Sequence, residues 1–163
     1  MNNFHPAHPV CQGGQSGRQN SMAGGRRYEH FEHTADLGLH IYGESLKELF
    51  ENACEALCAQ LTEPCRVMPA ESREVELEAN SGEELLRSWL AELLFLFSGQ
   101  AWLARKAEIT EITPTRLTAT IYGERSDPVR HEIEVEIKAV TWHMLGIEKQ
   151  ADGTLRGTVV LDI

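Results

Sequence analysis

At 163 residues the chain has room for one ordinary domain with a core of its own. With 42% hydrophobic and 25% charged residues it is neither a disordered nor a fibrous sequence, and its longest apolar run, Leu93 to Phe97, is far too short to cross a bilayer. The formal net charge of −10 is uneven: residues 1–27 hold Arg18, Arg26 and Arg27 and no acid, leaving 12 bases against 25 acids in the rest.

Grip on nucleic acid comes largely from Lys and Arg neutralising phosphates. A body this acidic is therefore expected to meet a basic protein or a metal cation, and to engage RNA only indirectly. Residues 1–27 read as a flexible tail rich in Gly, Gln, Ser, Asn, Pro and His, with His5 and His8 as solvated side chains and Met22 as an alternative start. No basic region precedes an apolar segment and cleavage site there, so a cytoplasmic protein is expected.

Residues 28–163 read as a single domain. Leu37, Leu39 and Ile41 alternate with Gly38, His40 and Tyr42, the period of a half-buried strand. Ser45 and Glu48 form a capping box ahead of a helix whose stripe is Leu46, Leu49, Phe50, Ala53, Leu57 and Leu61, ended before Pro64. Val75, Leu77 and Ala79 alternate with glutamates in a second strand. Ser81 and Glu84 then cap a second helix with a broad face from Leu85 to Phe97, and Gly99 suits its C-terminal cap. The remainder reads as strands. One carries Leu117, Ala119 and Ile121 after a turn at Pro114. A second carries Ile133, Val135, Ile137 and Ala139, alternating with Glu132, Glu134, Glu136 and Lys138. The last runs from Leu155 through Val159 to Leu161. Asp152-Gly153 predicts a type I′ hairpin turn before it. Two helices followed by strands predict an α+β, two-layer sandwich: two main helices packed on a mainly antiparallel β-sheet.

Cys11, Cys54, Cys58 and Cys65 lie at irregular spacings that fit neither a zinc site nor a disulfide framework. They are expected as reduced thiols, with Cys54 on the buried face of its helix.

Two stretches can carry chemistry. Val159-Val160-Leu161-Asp162-Ile163 is strand-like to its last residue, which fixes the α-carboxylate of Ile163 beside Asp162. His33-Thr34-Ala35-Asp36 leads into the first strand. Asp36, Asp162 and the Ile163 carboxylate would together form a hard oxygen set suited to Ca²⁺ or Mg²⁺, and the absence of cysteine argues against zinc. Spacing alone does not bring residues 36 and 162 together, and an aspartate at a strand edge is commonly a turn residue.

His33-Thr34-Ala35-Asp36-Leu37-Gly38, the helix opening Ser45-Leu46-Lys47-Glu48-Leu49-Phe50, the segment Lys138-Ala139-Val140-Thr141-Trp142-His143 and the end Leu161-Asp162-Ile163 resemble, in order, the motifs of the archease family. The resemblance runs from Tyr28 to Ile163. It implies a metal, calcium first with magnesium or manganese as alternatives, held by Asp36, Asp162 and Ile163. It implies a partner, a GTP-dependent RNA-splicing ligase that joins 3′-phosphate ends, whose guanylylation and multiple turnover the protein promotes. The chain is then an activator in tRNA splicing or RNA repair rather than an enzyme. His33 and His143 are expected near the metal or against the ligase, or as hydrogen-bonded structural histidines, and His131 shares that choice. Lys138 balances the carboxylates or is an exposed strand lysine. The competing readings are a stand-alone metal-dependent hydrolase, against which no histidine metal motif, nucleophile elbow or phosphate loop is found, and a non-catalytic interaction module.

Overall fold

A computed structural model describes residues 21–22, 25–33 and 35–163. Of the tail expected over residues 1–27, residues 1–20 and 23–24, with His5, His8 and Cys11, lie outside the described residues. The pair Ser21–Met22 (β1) and Gly25–Arg26 (β2) comes first, and Arg26 and Arg27 are ion-paired to Glu29 and Glu55.

Tyr28–His33 (β3) and Asp36–Gly43 (β4) form a hairpin whose connection turns through Ala35 in the left-handed region, φ 62°. Helix Leu46–Leu61 (α1) begins at Ser45, whose Oγ accepts from the Glu48 amide at 3.2 Å, while the Glu48 carboxylate accepts from the Glu44 amide at 2.7 Å. Glu71–Glu78 (β5) follows a short 3-10 turn, Pro64–Arg66. Helix Gly82–Gln100 (α2) repeats the device: Ser81 Oγ accepts from Glu84, and Glu84 accepts from Asn80. Both capping boxes were legible because a Ser three residues before a Glu satisfies otherwise orphaned amides. The C-cap differs from expectation. Gly99 lies within the last turn, and Ala101 takes the left-handed conformation, φ 50°, its amide donating to Leu96 and Phe97.

Trp102–Thr113 (β6) and Arg116–Arg125 (β7) form the longest hairpin, and β5 pairs with β7 to complete a three-stranded sheet, β5-β7-β6. Gly146–Lys149 (β9) and Leu155–Asp162 (β10) form a hairpin in which only Gly153, of the residues turning it, has a positive φ, 89°; the Gly153 amide donates to Gln150. This is a longer turn than the two-residue I′ type expected. The expected strand over 133–139 shrinks to Ala139–Val140 (β8), because residues 131–138 find no ladder partner among the described residues. The larger sheet runs β3-β4-β10-β8, with β9 also on β10, and every pairing in both sheets is antiparallel.

The two-layer expectation therefore holds with two sheets in place of one. Leu39 and Ile41 of β4, Val159 and Leu161 of β10, and Ile109, Leu117 and Ile121 of the smaller sheet pack into one core with Leu49, Phe50 and Leu57 of α1 and Leu85, Leu86, Trp89 and Leu90 of α2. Each such side chain contributes about 1.5–3 kcal/mol on burial. Trp89 joins the helices, its indole N–H donating to the Phe50 carbonyl at 2.9 Å. Cys54 and Cys58 are buried and free, as expected, whereas the exposed Cys65 is disulfide-bonded, against the expectation of a thiol. Cys54, enclosed on α1 and in contact with Cys58, has its thiol pushed well up by that contact and by burial. No helix among the described residues is long and apolar enough to cross a membrane.

Candidate metal centre

The pairing of β4 with β10 decides the geometry of the candidate residues. Its register matches Leu39 with Val159, Leu37 with Leu161 and Asp36 with Asp162. Residues matched in this way project from the same face, so the two aspartates stand side by side on the face turned away from the leucines that enter the core. Asp36 and Asp162 are both half-buried.

Four rows of side chains cross that face. The end row has Asp36, Asp162 and Ala139, from β4 to β8. The next has Phe31, Gly38 and Val160, then come Glu29, His40 and Thr158, and then Tyr42, Arg156 and Glu148. Phe31 stacks on His40, centroids 4.5 Å apart, and lies so close over Gly38 that a Cβ there would come within 2.5 Å of the ring. Glycine at 38 thus lets an aromatic ring floor the space beside the aspartates. Val160 in the same row is fully buried.

His40 Nδ1 is 3.1 Å from Thr158 Oγ1, and burial, then Arg156, holds its pKa below the usual histidine value against the opposing pull of Glu29 and Glu148. Tyr42 donates to Glu29 at 2.6 Å, which lowers the Glu29 pKa and raises that of the phenol, whose largest push comes from burial.

The far side of β10 is clamped. The Lys138 amide donates to the Asp162 carbonyl at 2.8 Å, and Lys138 Nζ donates to the Ile163 main-chain oxygen at 3.3 Å. The Thr141 amide and hydroxyl both donate to the Val160 carbonyl, at 3.0 and 2.9 Å. Asp36, Asp162, Ile163 and Lys138 therefore share one end of the sheet. The backbone of His33 lies opposite Asp36. His143 is exposed, two residues beyond Thr141 along the β8 edge, with its amide donating to the Thr141 hydroxyl.

His131 belongs elsewhere. It is 1% exposed, its Nδ1 accepts from the Asp127 amide, and its Nε2 faces Glu124 and the Arg66 carbonyl, each at 3.1 Å. Burial raises the Glu124 pKa, but hydrogen bonds from Arg130 and the Met68 amide outweigh it and leave the net shift downward. This group ties the loop after β7 to the turn after α1 and is structural.

Two carboxylates on facing positions repel unless a cation lies between or beside them. A third anionic group at Ile163 makes the set a fit for a hard divalent ion, which takes oxygen ligands and completes its shell with water. Among the described residues no three His, Cys, Asp or Glu side chains gather to hold a metal.

The sequence matches the model of the archease protein family over residues 28–163. The chain belongs to the archease family. It is 41% identical over 142 residues to the archease of Pyrococcus abyssi, covering 85% of this chain and 99% of that one. Against the archease of Methanosarcina acetivorans the identity is 41% over 143 residues, covering 85% and 97%. The fold matches the solution structure of Methanobacterium thermoautotrophicum protein 1598, with a TM-score of 0.71, 36% identity and coverage of 84% and 99%. It also matches a Thermotoga maritima crystal structure described as an archease and possible chaperone, with a TM-score of 0.58, 27% identity and coverage of 82% and 94%.

In this archease the sequence reading passed over Arg87, Trp142, Phe31 and Gly38. Arg87 of α2 lies 4.5 Å from the Trp142 ring centroid, which braces the segment after β8 against the helix. The side chains of Arg87 and Trp142 are 55 residues apart, and no local pattern announces the contact. Gly38 is a glycine in the interior of an alternating strand, and that was the available signal for a close approach.

Proposed function

We propose that this protein activates a GTP-dependent 3′-phosphate RNA ligase in tRNA splicing or RNA repair, promoting guanylylation and multiple turnover through a divalent-metal site of Asp36, Asp162 and the Ile163 carboxylate. The observation that carries the reading is the register of β4 on β10, which sets Asp36 directly opposite Asp162. Family membership supports it, as does the acidic body, which suits a partner that handles RNA.

The protein's own residues hold and orient. Asp36 and Asp162 present oxygens from two neighbouring strands, so their spacing is set by the ladder rather than by a loop. Lys138 steadies the Ile163 end, and Thr141 fixes β10 from its far side. A calcium, magnesium or manganese ion bound there supplies positive charge of the kind that favours guanylyl transfer, in which negative charge builds on phosphate oxygens. The chain acts on the ligase and needs no reaction of its own.

The test is RNA joining by the host's 3′-phosphate ligase, limiting in amount, with GTP and excess RNA. A rise from about one turnover to many on adding the protein supports the proposal, and Asp36→Ala or Asp162→Ala should abolish the rise. No rise, with binding and metal content verified, moves the function to a hydrolase or an interaction module. A C-terminal extension should be as harmful as either substitution, because it converts the Ile163 carboxylate to an amide.

A further inference from the structure

Residues 131–138 have the sequence of a strand and, among the described residues, no strand to pair with. Ile133, Val135 and Ile137 alternate with Glu132, Glu134 and Glu136, and no turn or bend interrupts the segment, yet it joins no ladder. From residue 132 onward its hydrogen bonds to the body come from even-numbered residues. The Glu132 carbonyl accepts from the Thr62 hydroxyl at 2.8 Å, the Glu134 amide donates to Leu61 at 2.9 Å, and the Lys138 amide donates to Asp162 at 2.8 Å.

In an extended chain the main-chain groups of successive residues point to opposite sides. Those of Ile133, Val135 and Ile137 therefore point away from the body, and among the described residues they make no hydrogen bond. Glu132, Glu134 and Glu136 are exposed, Ile133 is 40% exposed and Val135 half-buried. Among the described residues the outward edge is a row of unpaired donors and acceptors, with exposed glutamates on one face and, on the other, aliphatic side chains that sink into the body toward Ile137, 5% exposed.

We propose that residues 132–137 are a docking edge for an extended segment of a basic partner protein, which adds a strand here. Main-chain bonds to 133, 135 and 137 would supply the affinity, and Lys or Arg at alternate positions would face the three glutamates. A second copy of this chain is the wrong occupant: antiparallel self-pairing centred on Val135 sets Glu134 against Glu136 twice. Through Lys138 the edge runs up to Asp162, so its occupant lies alongside the candidate metal centre, although the edge stands without any metal.

The probe is a blocked octapeptide of alternating lysine and valine, titrated into the ¹⁵N-labelled full chain, with a lysine-clustered peptide of the same composition as control. Expected at saturation is at least tenfold slower amide exchange at Ile133, Val135 and Ile137, and at least tenfold weaker binding of the control. Val135→Pro removes an amide with no partner among the described residues, so it should cut peptide affinity at least tenfold while the melting temperature stays near that of the parent. Ile133→Pro serves the same purpose at the neighbouring outward position. Unchanged exchange at the three amides, equal binding of the clustered peptide, or full affinity in both proline variants would overturn the proposal. So would a dimer of the free chain that Val135→Pro dissolves. Because no ligase or metal enters the experiment, its failure leaves the activator reading where it stood.

Discussion

The two sheets both turn carboxylates outward, but they arrange them by opposite rules. In the smaller sheet Glu74 faces Thr120, which faces Glu108; Glu76 faces Thr118, which faces Glu111; and Glu78 faces Arg116. A threonine or arginine thus separates the glutamate columns, which is how an acidic sheet avoids like charges directly across a ladder. At the end of the larger sheet Asp36 directly faces Asp162, with no neutral residue between. A fold able to space its charges leaves two of them opposed at one place, which is where the metal site is proposed.

That contrast can be broken or sharpened experimentally. The largest effect is expected at the opposed pair. A cation at a hundred times its Kd stabilises by about 2.7 kcal/mol, or about 5–10 °C in melting temperature for a chain of this size. Asp36→Ala or Asp162→Ala should remove that shift in a calcium titration, while the metal-free melting temperature stays level or rises as the repulsion is relieved. An equal calcium shift in parent and variants would end the metal reading. Gly38→Ala should cost about 1–2 kcal/mol by urea denaturation, since the new Cβ drives Phe31 off its place over the strand. Pairing it with Phe31→Ala tests the cause, because the double variant should lose less than the two single losses added.

A smaller effect is expected from Thr118→Glu, which builds in the smaller sheet the opposition it otherwise avoids. It should cost about 0.5–1 kcal/mol, shrinking in high salt. The smallest is pH-dependent. The His40 pKa is depressed in the fold, so stability is fully present above the unfolded histidine value of about 6.5 and declines as pH falls through the lowered one. The strands of the smaller sheet carry no histidine. Intrinsic-rate-corrected amide protection between pH 7.5 and 5 should therefore fall in β4 and β10 while β6 and β7 hold, and His40→Gln should flatten the difference.

The same register explains what could be read from the amino acids and what could not. β4 and the two helices were legible because their apolar periods are unbroken and each helix opens on a Ser-x-x-Glu box. β6 was not singled out, although it is the longest strand, because two register shifts, near residues 105 and 110, break its alternation. The Glu51 carboxylate accepts from the Ile109 amide beside the second of these. β3 escaped notice because it is a polar edge strand, with Tyr28 and Phe31 out of step. Residues 133–137 misled in the other direction, since alternation states which faces a strand would have and not whether a neighbour exists. For the site, the residue types were visible but their meeting was not. Period fixes which side chains share a face, whereas the match of 36 with 162 depends on how β4 and β10 slide past one another. The motif resemblance supplied that pairing before any geometry did.

The placement of β10 also bears on how the molecule is made. It lies between β4 and the short strands β8 and β9, although it is the last strand in the chain, and contacts such as that of His40 with Thr158 span 118 residues. During synthesis the β3–β4 hairpin must wait with one edge bare until nearly every other element has emerged. Pairings of such long sequence separation form slowly, because loop closure precedes any reward from packing. A nascent chain stalled before β10 would expose an apolar, unpaired edge, the kind of surface that chaperones hold and aggregates grow from.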